Sequence, residues 1–337
     1  MGNNIVLLEY SFVADWRSLK KSLYLCNHIP LPICVGNMRL PMNKTFPPSE
    51  LIINEDGSAF HLHIRPDQLA DRIILVGDPD RVSTIATYFD SIEFDVQSRE
   101  FHTITGTYRS KRITVLSTGI GCDNIDIVMN ELDALANIDF STRTEKEAHR
   151  TLTIVRIGTC GGLQPETPIG TFIASVKSIG FDGLLNYYAG RNDVCDLALE
   201  KAFTQHMNWS PLKGAPYAAV ADAELVDQIA GTDMVRGITI ACGGFYGPQG
   251  RQLRLQIQDP EQNAKVESFR YVEPDTNNEL KVCNFEMESS ALAGLSSLLG
   301  HRAMTCCMVI ANRYAQEMNT EYKNSIDTLI QKVLNRI

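Results

Sequence analysis

The feature that most constrains the fold is an alternation of short apolar runs with longer amphipathic segments, which starts at residue 72 and continues to the end of the chain. The run at 72–76 is almost continuously apolar, as expected for a strand that is buried on both faces of a sheet. A turn at 77–80 follows, and residues 81–89 can form a helix. Apolar residues at helical spacing between Ile125 and Leu135 predict another helix, which Asp123 can cap. Such an alternation predicts an α/β fold with a largely buried sheet.

The remaining chain continues this pattern. Further strands are predicted at 112–116, 151–157, 171–176, 237–242 and 303–310. Helices are predicted at 261–271, at 287–299, where Gly300 suits the position after the last turn, and in the amphipathic segment 322–333. The glycine-rich stretch 158–162 is expected as a loop after the third strand. No repeat or low-complexity linker divides residues 42–337, which predicts a single domain there.

Residues 1–41 differ from the rest because they mix apolar and polar residues without a steady period. Their positive charges come after the first apolar patch, unlike the order in a signal peptide. We expect an N-terminal extension at 1–41 that is poorly ordered or comes from a mis-annotated start, with Met42 as the natural beginning.

Composition excludes several classes of function. A net charge of −9 argues against nucleic acid as a partner, which usually needs a basic face. No apolar run approaches the roughly 18 residues of a membrane span, so no membrane partner is expected. The nine cysteines show no C-x-x-C spacing, which favours free buried thiols in a reducing compartment. A cytoplasmic location is therefore expected.

One segment indicates what is bound. Residues 245–251 (Phe-Tyr-Gly-Pro-Gln-Gly-Arg) follow an apolar run, and Gly247 and Pro248 break the chain. Beyond this break lie the amide of Gln249 and the guanidinium of Arg251. An amide offers a donor and an acceptor, and a guanidinium offers a fork of donors. Together they suit the edge of a flat heterocycle such as uracil, although an ordinary surface loop explains the segment equally well.

Three arginines are candidate anion ligands. Arg81 ends the run 77–81 (Gly-Asp-Pro-Asp-Arg), where backbone N–H groups at a helix start can cradle an anion, although a tight surface turn is the favoured explanation of these residues alone. Arg156 lies inside an apolar strand, so it must be paired or meet an anion. A structural salt bridge and an anion site fit Arg156 equally well. Arg99 taken alone is an ordinary surface charge.

Two carboxylates and two histidines complete the candidates. Glu286 and Glu288 lie at a strand-to-helix junction, where ligands of open sheets bind, and a carboxylate suits a ribose diol. The competing explanation is charge pairing at the start of a helix. His61 and His63 alternate in a way that suits a metal pair, but no neighbouring carboxylate or cysteine completes it. No metal site is expected.

In their order and spacing, six short runs resemble the nucleoside phosphorylase-I family over residues 60–335. The resemblance is strongest to members that cleave uridine. The runs are 77–81, 99–101 (Arg-Glu-Phe), 117–121 (Ser-Thr-Gly-Ile-Gly), 156–159 (Arg-Ile-Gly-Thr), 245–251 and 286–289 (Glu-Met-Glu-Ser). This family implies a three-layer fold with a central mixed β-sheet flanked by helices.

The resemblance also implies an activity. Family members are pentosyltransferases that use phosphate to cleave the N-glycosidic bond of a nucleoside, giving ribose 1-phosphate and the free base. Uridine is the expected substrate, in pyrimidine salvage, with deoxyuridine and thymidine left open. Phosphate is a co-substrate and no cofactor is expected. Potassium is left open because Asn124 stands where some relatives carry a serine that helps to hold it. Self-association into a homodimer or homohexamer is expected.

The resemblance assigns roles to individual residues. The implied phosphate ligands are Gly77, Arg81, Arg156, Thr159 and, from a neighbouring subunit, Arg99. The implied ribose contacts are Met287, Glu288 and, again across the interface, His61. The implied base contacts are Phe245, Gln249, Arg251 and Arg313. Those expected to act in the transition state are Arg251, Gln249, Glu288 and Arg156.

Other activities of the same family remain as alternatives. Purine-specific relatives carry a Ser-Asp pair where this chain has Ala311-Asn312, and nucleosidases tend to lack the phosphate arginines. Both differences favour phosphorolysis of a pyrimidine nucleoside. A non-catalytic nucleoside-binding protein is the alternative from another class. The order Gly247-Pro248 is reversed from that of the relatives, and Gly250 replaces an acidic residue.

Overall fold

The computed structural model describes residues 45–337, apart from the side chains at positions 323 and 324. The prediction of an N-terminal extension at 1–41 lies outside the described residues. Fourteen strands and eight helices are seen in the described part of the chain.

The strands include every apolar run that was predicted as one. Their bounds are β1 (Arg72–Val76), β2 (Ser91–Ser98), β3 (Phe101–Tyr108), β4 (Lys111–Ser117), β5 (Ile138–Asp139), β6 (Thr144–Glu145), β7 (Thr153–Gly162), β8 (Phe172–Gly180), β9 (Tyr217–Val220), β10 (Val235–Ala241), β11 (Arg270–Val272), β12 (Glu279–Glu286), β13 (Arg302–Asn312) and β14 (Glu317–Met318).

The helices lie mostly between successive strands. Their bounds are α1 (Pro79–Ala86), α2 (Cys122–Asn137), α3 (Arg191–Val194), α4 (Leu197–Met207), α5 (Ala223–Ala230), α6 (Gln262–Ser268), α7 (Ser289–Leu299) and α8 (Lys323–Arg336). Gly300 follows α7 in the left-handed conformation (φ 79°), as predicted for the residue after a helix.

The main sheet is mixed, as the family resemblance implies. Its strand order is β11-β12-β10-β8-β13-β7-β1-β4-β3-β2, with β9 on β8 and β14 on β13. Strand β1 is parallel to both β4 and β7, whereas β13 is parallel to β7 and antiparallel to β8. Because β12 also pairs with the end of β7, strands β7, β13, β8, β10 and β12 close into a ring.

Helices cover both faces of the sheet, which gives three layers. In β1, Ile74 and Val76 pack in one apolar core with α1, α5 and α8. Ile73 and Leu75 point to the opposite face, where they pack with α2 and α7. This alternation follows from the two-residue period of a strand. Because both faces are covered, β1 is an almost continuous apolar run in the sequence.

Three local predictions are wrong. The stretch 158–162 is the end of β7 rather than a loop, since Gly161 and Gly162 pair with β12. Helix α2 begins at Cys122, so Asp123 lies in its first turn and does not cap it. The predicted helix 261–271 ends at Ser268 and gives way to β11.

The cysteines and the possible membrane spans of the described residues can be compared with the sequence. The cysteines there are free and, except for the partly exposed Cys195, buried, as predicted. None of the helices between residues 45 and 337 has the length and apolarity to cross a lipid bilayer.

Candidate active site

A cavity of about 1000 Å³ opens where β1, β7, β12 and β13 end. It brings together most of the residues that the sequence singled out. Those that line it are Gly77, Arg81, Arg156, Thr159, Phe245, Gln249, Arg251, Met287, Glu288 and Arg313. Arg99 and His61 do not line it. We call the part around Arg81, Arg156, Glu286 and Glu288 the strand end, and the part around 245–251 and Arg313 the loop end.

Arg156 is the centre of the strand end. It projects from the middle of β7 and is almost completely buried. Its Nη1 lies 3.3 Å from Oε2 of Glu286, and its Nη2 donates to Glu288. Burial alone would lower the pKa of Arg156, but the two carboxylates outweigh it and raise that pKa. Gly158 is needed beside this cluster, because a Cβ there would lie 2.4 Å from Nη1 of Arg156. The guanidinium is therefore charged and fixed.

The two carboxylates have different surroundings. Glu286 accepts from the backbone N–H groups of Glu288 and Ser289, both at 2.9 Å, and from the Ser289 hydroxyl at 2.6 Å. Glu286 thus satisfies donors at the start of α7, as the helix-start explanation requires. Glu288 accepts from the N–H of Gly121 at 2.7 Å. Burial raises the pKa of Glu288 to about 7, and Glu286 adds to this rise while Arg156 opposes it.

Arg81 brings a second guanidinium to the strand end. It lies in the first turn of α1, whose start is capped by Asp78 through the N–H of Asp80 at 3.0 Å. Its Nη1 donates to the carbonyl of Ile157 at 3.2 Å. Burial and repulsion from Arg156 lower the pKa of Arg81. An anion placed between the two guanidiniums would relieve that repulsion.

The loop end is formed by a tight turn. Residues 247–249 make one turn of 3₁₀ helix, and Gly250 follows with φ 67°. A Cβ on Gly250 would lie 2.3 Å from Oδ1 of Asn263, so both the backbone conformation and the space require glycine there. The N–H of Arg251 then donates back to the carbonyl of Tyr246 at 2.8 Å. This turn brings Gln249 and Arg251 to the same wall of the cavity.

Arg251 has a different kind of environment from Arg156. Its guanidinium lies 3.7 Å from the centre of the Phe245 ring and donates to the Phe245 carbonyl at 2.6 Å and to the amide oxygen of Gln249. No carboxylate of the described residues pairs with it. Partial burial, together with repulsion from Arg313, lowers the pKa of Arg251 to about 10. The loop end therefore carries positive charge without a counter-charge.

His61 and Arg99 lie outside the cavity. Arg99 is exposed in the turn between β2 and β3, with φ 55°. The ring of His61 lies edge-on to that of Phe101, two residues after Arg99, at 6.4 Å between centres. Neither residue lines the cavity of its own chain. Their expected action in a neighbouring subunit remains a prediction.

Sequence reasoning missed some contributors. Glu131, on α2, contacts the ring and backbone of His61, but lies 70 residues away and has no local signal. Glu100, adjacent to Arg99, and Ile310, three residues before Arg313, line the cavity, and only this proximity in sequence could have indicated them. Asn312 is buried, and its side chain donates to the carbonyl of Thr167 at 2.8 Å. That contact gives Asn312 a structural role away from the cavity.

Comparisons with known proteins agree with this architecture. A sequence model of the phosphorylase superfamily matches residues 71–337. A uridine phosphorylase of Thermococcus kodakarensis is 29% identical over 282 residues, which cover 82% of this chain and 85% of the relative. A uridine phosphorylase of Haemophilus influenzae is 30% identical over 271 residues, covering 78% of this chain and 89% of the relative.

A solved structure extends the likeness to three dimensions. It is a nucleoside phosphorylase of Trypanosoma brucei described as showing uridine phosphorylase activity, with a TM-score of 0.77 and 29% identity. The match covers 85% of this chain and 98% of that one. The six motifs and the three-layer mixed sheet agree with these matches. The chain belongs to the phosphorylase superfamily, as a member of its nucleoside phosphorylases.

Proposed function

We propose that this protein is a uridine phosphorylase (EC 2.4.2.3), which converts uridine and phosphate to uracil and ribose 1-phosphate. The observation that carries the proposal is the loop end. There, the amide of Gln249 and the guanidinium of Arg251, which pairs with no carboxylate in the described part of the chain, share one wall of a cavity. The opposite part of that cavity holds Arg81 and Arg156. One site can thus accept an anion and a polar planar ring together.

Phosphate is the nucleophile in this proposal. It binds between Arg81 and Arg156, with help from the N–H of Gly77 and the hydroxyl of Thr159. As the glycosidic bond breaks, the sugar becomes cation-like and the phosphate dianion beneath it stabilises that charge before bonding to C1′. Glu288 accepts from the ribose hydroxyls and Met287 packs against the sugar. No side chain acts as a nucleophile, and no cofactor is required.

The loop end acts on the leaving group. Uracil leaves with the electron pair of the bond, so negative charge develops on its ring and carbonyl oxygens. Arg251 and Gln249 are donors aimed at that charge, and their interaction strengthens in the transition state. Phe245 provides a face for the ring, and Arg313 supports the turn by donating to the carbonyl of Gln249 at 3.1 Å.

Two features favour this activity over its alternatives. A purine reaction needs a proton donor for the ring nitrogen, and the residue at the corresponding strand end is the buried amide of Asn312. Hydrolysis needs no anion site, whereas the guanidiniums of Arg81 and the buried Arg156 both line this cavity. Both features favour phosphorolysis of a pyrimidine nucleoside.

A homo-oligomer is part of the proposal. Arg99 and His61 lie outside the cavity of their own chain, and in this proposal they complete the cavity of a neighbour. Activity should therefore require at least a dimer. Mixing the two inactive variants Arg99→Ala and Arg251→Ala should restore part of the activity, since hybrid dimers contain one site with neither substitution. No recovery on mixing would argue against shared sites.

The experiment that tests the proposed function follows nucleoside loss by absorbance. Uridine, thymidine and inosine are each incubated with the protein, with and without phosphate. We expect phosphate-dependent loss of uridine and slower loss of inosine. Cleavage of uridine without phosphate would assign the protein to the nucleosidases, and faster turnover of inosine would assign it to the purine branch. Binding of uridine without turnover would support a binding protein.

A further inference from the structure

A single carboxylate holds the segment around His61 against α2. The two oxygens of Glu131 accept from the backbone N–H of His61 at 3.1 Å and from that of Leu62 at 3.0 Å. One of them also lies 2.6 Å from Nδ1 of the His61 ring. Leu62 and Ile64 are completely buried, and the turn is closed because the N–H of His63 donates to the carbonyl of Ala59 and the N–H of Ala59 donates to the carbonyl of Ile64. Both the main chain and the ring of His61 are therefore fixed.

This contact decides which ring nitrogen of His61 carries the proton. A carboxylate accepts hydrogen bonds, so Nδ1 of His61 is the donor. In the neutral imidazole, Nε2 is then an acceptor. Nε2 has no hydrogen-bond partner within residues 45–337, and about a quarter (26%) of the side chain is exposed. The acceptor nitrogen is thus free to meet a donor from outside the chain.

The surroundings of His61 place it outside the cavity of its own chain. Its ring contacts Phe101, close to Arg99, and it does not line the cavity of its own chain. We infer that Glu131 is a positioning residue, which holds His61 so that Nε2 accepts from the ribose 5′-hydroxyl in the site of the neighbouring subunit. The inference rests on the proposed function and deepens it. It explains why a carboxylate with 16% of its side chain exposed makes three contacts with two consecutive residues.

The substitution Glu131→Gln distinguishes a role in orienting the His61 ring from a role in stabilising the fold alone. The glutamine oxygen can still accept from the backbone, but its NH₂ group can take the place of the oxygen that faces Nδ1. The ring then responds by accepting at Nδ1 and carrying its proton at Nε2, so the acceptor for the 5′-hydroxyl is lost. A comparable change of tautomer is the recognised result of replacing the aspartate of a catalytic triad by asparagine.

The test compares uridine with 5′-deoxyuridine, which lacks the hydroxyl concerned. Glu131→Gln should lower kcat/KM for uridine by roughly 10- to 100-fold, the range known for residues that orient metal-bound histidines. It should leave kcat/KM for 5′-deoxyuridine within about twofold of wild type. In a His61→Ala background, Glu131→Gln should cost nothing further with either substrate. Asp126→Asn, which removes another hydrogen-bonded carboxylate of α2, is the matched control and should change neither substrate.

Several outcomes would overturn the inference. Equal losses with both substrates would show that Glu131 only supports the fold, and unchanged activity with uridine would show that it does not position His61. Glu131→Ala, checked for folding by its thermal transition, repeats the test if the glutamine variant is unstable. If the wild type prefers inosine, the proposed function fails, and the same comparison with 5′-deoxyinosine decides the role of Glu131. Cleavage of no nucleoside would overturn both.

Discussion

The two ends of the cavity hold their arginines in opposite ways. At the strand end, Arg156 is buried in the sheet and contacts two carboxylates. At the loop end, Arg251 is half-buried, stacks on Phe245 and contacts no carboxylate of the described residues. A buried charge without a partner is expensive, so the strand end needs its carboxylates even in the absence of substrate. The loop end keeps its positive charge because part of it remains in water.

We infer from this difference that the strand end serves the proposed reaction and the loop end its selectivity for the base. The strand end is shared between the fold and the proposed chemistry, since Glu286 also caps α7. Substitutions of the strand-end residues would therefore damage the sheet. At the loop end, the Gln249 side chain is buried, whereas Phe245 and Arg251 are partly exposed and can change with little cost to the core. Relatives that act on nucleosides with other bases could therefore differ in their loop-end residues while they retain the strand-end residues.

The largest expected effect is at the strand end, with Arg156→Leu. The change leaves Glu286 and Glu288 buried without their counter-charge, which typically costs about 3–5 kcal/mol of unfolding free energy. It should also lower kcat/KM by at least 10²- to 10³-fold, roughly the cost of losing one oriented donor. Urea denaturation and steady-state kinetics measure the two effects.

The matched control is Arg302→Leu. Arg302 also contacts two carboxylates, those of Asp222 and Glu224, but all three side chains are partly or largely exposed. Exposed pairs contribute about 0–1 kcal/mol, so little stability should be lost. Equal destabilisation by the two variants would break the distinction between the ends.

At the loop end, Arg251→Ala should separate activity from stability. Removing a donor that meets charge in the transition state should lower kcat by roughly 10²- to 10³-fold. The unfolding free energy should change by less than about 1 kcal/mol, as for other partly exposed positions. Arg254→Ala, an exposed arginine on the same segment, is the control and should keep full activity. A severe loss of stability in Arg251→Ala would contradict the account.

Glu288 gives the strand end a pH dependence. Its pKa of about 7 in the folded protein lies above the ordinary 4.5, so the folded state holds a proton that the unfolded state loses between those values. The resulting stabilisation is complete below pH 4.5 and is lost as the pH rises through 7. The stability of wild type relative to Glu288→Gln should therefore fall between about pH 5 and pH 7, by up to about 1.4 kcal/mol per pH unit, and then level off. A relative stability that is constant or rises with pH would refute this assignment.

The smallest expected effect is that of Phe245→Ala at the loop end. An aromatic contact contributes about 0.5–1.5 kcal/mol, so KM for uridine should rise by roughly two- to tenfold with little change in kcat. Leu253→Ala, another exposed apolar side chain on this segment, should leave KM unchanged. A loss of kcat comparable to that of Arg251→Ala would show that Phe245 does more than support the ring.

Much of the fold could be predicted from local pattern. Strand β1 was predicted with its observed bounds because both of its faces are buried, so periodicity and burial agree. The stretch 158–162 was mistaken for a loop because its glycines are typical of turns. Its pairing with β12 depends on contacts more than 120 residues apart, which local pattern does not contain. The hairpin of β2 and β3 was missed because the outer strand is largely exposed.

The sequence predicted which residues form the site, but not which of its charged side chains contact each other. Gln249, Arg251, Arg156 and Glu288 were recognised by motif, and they line one cavity. Glu286 accepts from N–H groups at the start of α7 and also contacts Arg156, whereas Glu288 contacts Arg156 alone of these groups, and this difference depends on the geometry of one helix start. Likewise, the contact between Glu131 and His61 joins elements 70 residues apart. Partners at such separations follow from the tertiary fold.

In the proposed reaction, the loop end selects the base while the strand end performs the chemistry. This division of roles can be tested by kcat/KM for uridine and inosine, at saturating phosphate, in wild type and in Arg251→Ala. We predict that wild type prefers uridine and that this preference falls towards one in the variant, because the donors that distinguish uracil are weakened. A preference for inosine in wild type, or equal losses with both nucleosides in Arg251→Ala, would contradict the claim.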